Sequence, residues 1–553
     1  MTRSLPRIDE NAFLVEAVSQ HKAGNLERAR DLYLAILNQN PKNAGAIFRL
    51  GTIALQVEQF DKAADFIKQA IKIGPATAPM YVNLGAALRN LEQYDKAIFA
   101  LNRALKLDPT QPGAHYNKGR ALQADKRNEE ARDCYREALS LDRNDKEAWI
   151  NLGTVLRELE EVDQALYAFE TAARLDPSLS AAYGNGAAIL FDRGLFEIST
   201  VLIDKAIELD PDNAEYRYEL TSFMLRSGRL EQGWRDFDLR FLADHKAKAA
   251  RRHEPPPYWN GESLDDKNIL LWTEQGLGEE ILCASILPDI LKLGGRYTFQ
   301  CSKRMMPLIK RSFEGLEVTN WSAHNDTVVN ANPPFDLQFP AMSMMRIVRP
   351  TLDSIVSSAP FLKADSNLYR DLRAKYEKLA NGRRIVGISW RSKNSEIGEL
   401  KTVPLEDWEP ILRTKDVFFV NLQYGECTEE IMSINKKLGV DIYIDSDVDA
   451  LGELDPVLAQ IAATDLVVTA SNSNVHFAGS MSVPAWSILP KARGLIWFWF
   501  MDRADSPWYS SVRLFRQQST PSPDNPWWPE VVEDVADALS TWLVEPLAPR
   551  PLP

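Results

Sequence analysis

Along residues 10–240, large apolar side chains, small side chains and prolines return to the same places every 34 residues. Pro41, Pro75, Pro109, Pro177 and Pro211 lie on one such grid, interrupted only by Arg143. Gly51, Gly85, Gly119 and Gly153 share the spacing. So do Ala29, Ala63, Ala97, Ala131 and Ala165, and again Ala70, Ala104, Ala138, Ala172 and Ala206. The pattern predicts pairs of antiparallel helices. Glycine and alanine let the helices approach closely, larger apolar residues fill the space between, and proline stops the second helix. One pair cannot bury its own apolar face, so successive pairs stack into a superhelix. Counting from Glu10, there are six full units and a partial seventh, in which residues 230–240 (LEQGWRDFDLR) read as a closing segment.

Past residue 266 the pattern changes. Short β-rich runs at 268–272, 297–301, 385–390, 417–422 and 466–469 read as buried strands. Helical periodicity lies between them, at 279–293, 303–313, 405–414 and 427–437. Such alternation predicts an α/β fold with parallel sheets. A second series opens at Arg383-Arg384, about 115 residues after the first. Two doubly wound lobes are expected, with a cleft between them and ligands at the C-terminal ends of the strands. The expected organisation is a superhelix over 10–240, a linker over 241–266, and lobes over 267–380 and 381–545. The linker contains HEPPPYW, a stiff extended stretch.

Composition sharpens this division, since twelve of the fourteen tryptophans follow residue 258. A net charge of −13 argues against general nucleic-acid or anionic-membrane binding. Cys134, Cys283, Cys301 and Cys427 fall in no metal-ligand spacing, so neither a zinc site nor a disulfide framework is expected. No signal-peptide core opens the chain, and the apolar run at 495–501 is too short to span a bilayer. The expectation is a cytoplasmic protein.

Four constellations carry candidate chemistry. Asn83, Asn117, Asn151 and Asn185 occupy the sixth position of four consecutive units, on the first helix of each pair. Such a column can grip the backbone of an extended acceptor peptide, or it can simply be what the repeat prefers there. TEQGLGEE (273–280) follows the first strand. Gly276 and Gly278 allow a tight turn and close approach, and Glu279, or second Glu274, is a candidate general base. An ordinary strand-to-helix turn is the alternative. GISWRSK (387–393) places Trp390, Arg391 and Lys393 at a strand end, with Lys401 beyond. These cations suit a phosphate pocket, the alternative being a solvated basic loop. In TASNSNVHFAG (469–479), Ser471, Asn472 or Ser473 caps an apolar helix whose N–H groups would face a diphosphate, and His476 lies one turn in. His476 reads equally as a satisfied core residue. Gln423 and Tyr424, just past a strand, are placed to contact a base or ribose.

The 34-residue unit resembles the tetratricopeptide repeat. Over nearly its whole length the chain resembles bacterial tetratricopeptide-repeat proteins that carry a C-terminal GT-B glycosyltransferase domain related to the heptosyltransferases. The resemblance rests on EQGLGEE, GISWRSKN, VNLQYGE, DLVVTASNSNVHFAGSMSVPAWSILP and DSPWYSSVRLFRQ. It implies a carboxylate base at Glu279, where the relatives carry aspartate, and donor phosphates at Asn472, Ser473 and His476. Two departures stand out: Ser471 replaces an aspartate of many relatives, and Trp497-Phe498-Trp499 replaces Trp-Arg-Trp. The plan is also similar to that of the eukaryotic O-GlcNAc transferase, and flagellin glycosyltransferases of this build set a precedent for a protein acceptor.

Together these features lead to the expectation of a nucleotide-sugar-dependent glycosyltransferase that modifies Ser or Thr of a protein recruited by the array. Flagellin is the precedent for that acceptor. No cofactor or metal is expected beyond the donor substrate, because no DxD-type pair stands at a strand end. Two alternatives are a non-catalytic scaffold with a degenerate GT-B half, and a transferase acting on a glycan or lipid-linked acceptor.

Overall fold

The computed structural model describes residues 9–242, 256–274, 276–320, 334–355, 360–392, 397–518 and 528–547. The chain divides into two compact units, residues 1–189 with 208–210, and residues 190–207 with 211–553.

The helices run in order as α1 (Glu10–Lys22), α2 (Leu26–Gln39), α3 (Ala44–Gln56), α4 (Phe60–Ile73), α5 (Ala78–Asn90), α6 (Tyr94–Leu107) and α7 (Pro112–Ala124). They continue as α8 (Asn128–Leu141), α9 (Lys146–Glu158), α10 (Val162–Leu175), α11 (Ser180–Asp192), α12 (Phe196–Leu209), α13 (Ala214–Arg226) and α14 (Leu230–Arg235). The grid residues act as their spacing predicts. A Cβ on Gly51, Gly85, Gly119 or Gly153 would stand 2.7 Å from Ile67, 2.5 Å from Leu101, 2.7 Å from Tyr135 or 2.6 Å from Phe169. In each case the partner lies on the second helix of the same pair, sixteen residues on. Both alanine sets are fully buried. Successive odd-numbered helices α3, α5, α7 and α9 touch one another directly, whereas the even-numbered ones do not to the same extent. The odd helices therefore line the inside of the curve.

A further 34-residue periodicity lies in the backbone. Gly24, Glu58, Glu92, Lys126, Glu160, Gly194 and Gly228 all adopt a left-handed conformation, with φ between 57° and 80°. Each makes the tight turn within its helix pair. Only three are glycine, so the turn is invisible to a search for glycine.

In the second unit two parallel sheets carry the α/β part. The first holds β1 (Asn268–Trp272), β2 (Arg296–Cys301), β3 (Glu317–Asn320) and β4 (Leu337–Pro340) in the order β3-β2-β1-β4. The second holds β5 (Arg384–Ser389), β6 (Val417–Asn421), β7 (Ile442–Tyr443), β8 (Leu466–Ala470), β9 (Ala485–Leu489) and β10 (Val512–Arg516). Its order is β10-β9-β8-β5-β6-β7. Both orders are doubly wound: the winding reverses between β1 and β4, and again between β5 and β8, which opens a crevice at each switch point. The flanking helices of eight residues or more are α15 (Leu277–Ala284), α16 (Ser366–Ala380), α17 (Thr428–Leu438), α18 (Leu454–Ala462), α19 (Ser473–Ser480) and α20 (Pro529–Trp542). Where one long helix is expected over 279–293, α15 stops at Ala284 and short turns follow, with Pro288 among them. The 405–414 stretch is likewise two short turns, broken by Pro410.

Two segments expected to stand apart are built into this second unit. Residues 256–259 of the linker run along β4: Gln338 N–H donates to the Pro257 carbonyl (2.9 Å) and Trp259 N–H to the Gln338 carbonyl (3.2 Å). They cover what would otherwise be an open sheet edge. The closing segment of the array also belongs here, because Phe223, Leu225, Leu230, Trp234 and Phe237 share one buried cluster with Ile269, Leu271 and Ile281. Trp234 Nε1 donates to the Arg349 carbonyl at 2.9 Å. Among the described residues, no helix is long and apolar enough to cross a membrane.

Two substitutions test the packing account in opposite directions. Gly153→Ala overpacks against Phe169 and is expected to lower unfolding stability by about 1–3 kcal/mol. Glu92→Gly relieves a left-handed side-chain conformation and is expected to raise it by about 1 kcal/mol. Urea and thermal unfolding of both variants read the effect; a destabilised Glu92→Gly would show that the turn is not strained.

Candidate functional site

The site forms where the two switch points face one another. After β1 the chain turns at Gly276, whose φ of +93° suits only glycine, and enters α15. After β8 it turns at Asn472, whose side chain caps α19 by accepting from Asn474 N–H (2.9 Å). The two helices touch through Gly278, where a Cβ would stand 2.9 Å from Cδ2 and 3.0 Å from Nε2 of His476. Close approach is thus required at Gly278, and the neighbour that demands it is the His476 imidazole.

Three ionisable side chains meet there. Burial pushes the Glu279 carboxyl up to about 8, and the negative charge of Glu274 adds to this while Arg240 and Lys401 oppose it. Lys401, only 4% exposed, is brought down to about 8 by burial, against the pull of Glu279. His476, 3% exposed, is driven down to about 3 by burial and by the Lys401 charge. It is therefore neutral at physiological pH. Its Nδ1 lies 2.9 Å from the Tyr509 hydroxyl, and Phe498, Trp499 and Tyr509 ring it at centroid distances of 5.0–5.7 Å. His476 is thus a satisfied core residue with one nitrogen turned toward the first lobe, and it brings no cation to a phosphate.

Glu274 has a different task. Its carboxylate is held by both Nε (2.8 Å) and Nη2 of Arg240. Arg240 also donates to Asp238 (2.8 Å), to Ser343 Oγ (2.8 Å) and to the Phe237 carbonyl (3.0 Å). With both oxygens engaged by a guanidinium, Glu274 is a tether between the closing segment and the end of β1. Glu279 is left as the carboxyl suited to take a proton. The adjacent Glu280 faces inward, accepts from Ser302 N–H (3.2 Å) and Oγ (2.9 Å), and is pushed up to about 7 by burial.

In the second lobe most of the expected donor ligands hold the fold. Gln423 Oε1 accepts from Ser389 Oγ (3.1 Å), Trp390 N–H (3.0 Å) and Arg391 N–H (2.8 Å), locking the end of β5 to that of β6. Asn472 Nδ2 donates to Ser389 Oγ (2.8 Å) and the Arg391 carbonyl (3.1 Å). Ser471 Oγ accepts from Trp499 Nε1 (3.0 Å). Trp390 is fully buried and donates from Nε1 to Glu430 (3.0 Å). The Arg391 guanidinium pairs with the same Glu430 (3.1 Å) and donates to the Glu426 carbonyl (2.9 Å), so it is already neutralised. Ser473, at the start of α19, and Tyr424 are half-exposed. Lys393 lies outside the described residues.

The asparagine column is engaged within the array. Asn83 Nδ2 donates to Thr52 Oγ1 (3.3 Å) and Asn151 Nδ2 to the Tyr116 hydroxyl (3.1 Å), each linking successive inner helices. Asn117 and Asn185 donate one turn back, to the Gly113 (2.7 Å) and Ala181 (2.9 Å) carbonyls. One N–H of each carboxamide is therefore committed, and all four side chains are half-buried.

The structure thus gathers Glu279, Gly278, Lys401 and His476, and it sets Gln423, Asn472 and Ser389 together as a scaffold behind them. Sequence reasoning missed Arg240, Tyr509 and Asn474, whose Nδ2 donates to the Leu422 carbonyl at 3.0 Å. Arg240 ends the closing segment and Tyr509 lies in DSPWYSS, so both stood in singled-out stretches without a visible partner. Among the described residues, no group of three or more His, Cys, Asp or Glu could hold a metal ion.

Two stability measurements check this electrostatic picture. Folded Glu279 keeps its proton to about pH 8, against 4.5 ordinarily, so the folded chain binds the extra proton and loses stability as pH rises through that window. The thermal midpoint of Glu279→Gln should therefore gain on the parent between about pH 5 and about pH 8, whereas a constant gap would mean that the carboxyl is hydrated. Arg240→Met strands the buried Glu274 charge and should cost about 3–5 kcal/mol, most of it recovered by adding Glu274→Met. No recovery in the double variant would place the cost in lost packing.

Residues 20–88, 78–111 and 116–180 match tetratricopeptide-repeat families. The chain is 33% identical over 316 residues to Protein FlbA of Caulobacter vibrioides, a match covering 55% of this chain and 52% of that protein. It therefore spans about half the length of this curated relative. Among solved structures, YrrB, described as a TPR protein with an unusual peptide-binding site, is 23% identical over 32% of this chain and 93% of its own (TM-score 0.29). MamA is 25% identical over 30% of this chain and 97% of its own (TM-score 0.28). Pseudomonas aeruginosa pilF is 19% identical over 37% and 94% (TM-score 0.34). The chain thus carries a tetratricopeptide-repeat array followed by an α/β portion built on two parallel sheets.

Proposed function

We propose that the α/β portion is a glycosyltransferase of GT-B type, taking a nucleotide sugar as donor and a Ser or Thr hydroxyl of a polypeptide held by the array as acceptor. The observation that carries this reading is the meeting of Glu279 with Lys401 where the two switch-point helices touch. The acceptor oxygen attacks the anomeric carbon, the bond from that carbon to the diphosphate oxygen breaks with its electron pair leaving on phosphate, and the hydroxyl proton passes to the Glu279 carboxylate. Lys401 is the cation that offsets charge on the leaving diphosphate, next to the N-terminus of α19. The inner face of the array recruits the acceptor, for which flagellin is the precedent among proteins of similar plan.

The reading requires Glu279 unprotonated and Lys401 protonated. With both near 8, the rate should rise toward about pH 8 and fall above it. Thermal stabilisation by nucleotide sugars, followed by intact-mass analysis of co-purifying proteins with parent and Glu279→Gln chains, tests it. A mass increment of one sugar residue, lost in Glu279→Gln while donor stabilisation persists, is the expected result. Donor stabilisation absent from the parent, together with unchanged masses, would leave the chain a non-catalytic scaffold.

A further inference from the structure

The last inner helix, α13, packs on the closing turn at 237–241, which carries Arg240, and on the 497–499 turn, whose Phe498 and Trp499 ring His476. Its Tyr218 is thereby brought to the site. The charged groups within electrostatic reach of the phenol are Arg240, Glu274, Glu279 and Arg226. Tyr218 is half-buried, as is Glu279. Among the described residues, neither side chain has a hydrogen-bond partner.

The fold does not need this hydroxyl. At the equivalent position the earlier units place Phe48, Val82, Ile150 and Gly184, and only Tyr116 repeats the phenol. The Tyr116 hydroxyl accepts from Asn151 of the next inner helix (3.1 Å), whereas α13 is the last such helix and the chain goes on into the closing segment. What the phenol does for the stack at Tyr116 therefore has no counterpart at Tyr218, whose charged neighbours are those of the site. Burial pushes the Tyr218 phenol up, so it stays protonated and can donate.

We propose that Tyr218 is an acceptor-binding residue of the transferase, with the attacking hydroxyl lying between Tyr218 and Glu279. The inference rests on the transferase reading and names the group that aims its nucleophile. An alcohol oxygen has one proton and two lone pairs. Here the proton points to the Glu279 carboxylate, one lone pair accepts from the Tyr218 hydroxyl, and the other attacks the anomeric carbon. Every direction around the oxygen is then fixed. As the new bond forms, the acceptor's proton passes to Glu279, and the bond from sugar to phosphate breaks with its electron pair leaving on phosphate. The Tyr218 proton stays where it is. A phenol in this place orients the nucleophile without touching the donor, so its loss falls on turnover and not on donor binding.

The test is release of the nucleotide by the full chain from a panel of UDP-, GDP-, dTDP- and CMP-linked sugars, with water taking the place of the acceptor hydroxyl. In Tyr218→Phe, kcat should fall about tenfold, as for the loss of one neutral hydrogen bond, while donor KM stays unchanged. The thermal midpoint, with and without donor, should also stay unchanged, which a merely structural role would not allow. Phenylalanine already stands at residue 48, so the variant should fold; Tyr218→Ile, after residue 150, is a second variant without the hydroxyl. An unchanged kcat in both variants, or a raised donor KM with kcat intact, overturns the proposal and leaves the transferase reading standing. A parent chain that hydrolyses none of these sugars overturns the transferase reading and this inference with it.

Discussion

A guanidinium cut off from water must be surrounded by its own counter-charges, and a large part of the second unit is arranged around one such group. Arg240 lies between the rings of Phe237 and Phe241, each centroid 4.1 Å away, and its donors reach Glu274, Asp238, Ser343 and the Phe237 carbonyl. Those partners come from the closing helical turn, from the end of β1 and from the turn after β4. None can move away without leaving a buried charge unpaired, and that penalty outweighs the loss of an ordinary contact. The last helical pair is therefore part of the α/β core and not a free end of the array. The compact units divide near residue 189, so this pair falls with the α/β portion.

The same tether fixes the start of α15 and so the approach of Gly278 to His476. A neutral, aromatically enclosed imidazole at that contact supplies shape without adding charge. It leaves Glu279 and Lys401 as the acid and the base of the contact. Each is displaced mainly by burial, in opposite directions, and the two converge on the same value.

Periodic features were legible in the sequence because one physical demand recurs in every unit. Gly51, Gly85, Gly119 and Gly153 announce close helix contact, and the structure places a large side chain against each. The left-handed turn was hidden because Glu58, Glu92, Lys126 and Glu160 adopt it as well as glycine does. Strands such as β5, β6 and β8 stood out as apolar runs, while β4 (LQFP) and β9 (AWSIL) are short or broken by polar residues. At the site, residue types pointed to the correct loops but not to their partners. Gln423, Asn472 and Arg391 look like ligands in isolation, yet Ser389, backbone N–H groups and Glu430 claim them once β5, β6 and β8 lie side by side. Such pairings span tens of residues, and local pattern carries no record of them.

The array's inner helices α3, α5, α7 and α9 touch in succession, whereas its outer helices meet chiefly through the inner helix of the following pair. Mechanically this is a stack joined along one rail. Bending that opens or closes the groove is shared among all the junctions, and since elastic energy grows with the square of each displacement, the total falls as the number of junctions rises. A guest of different girth can then be accommodated by a slight change of curvature everywhere, with no single interface broken.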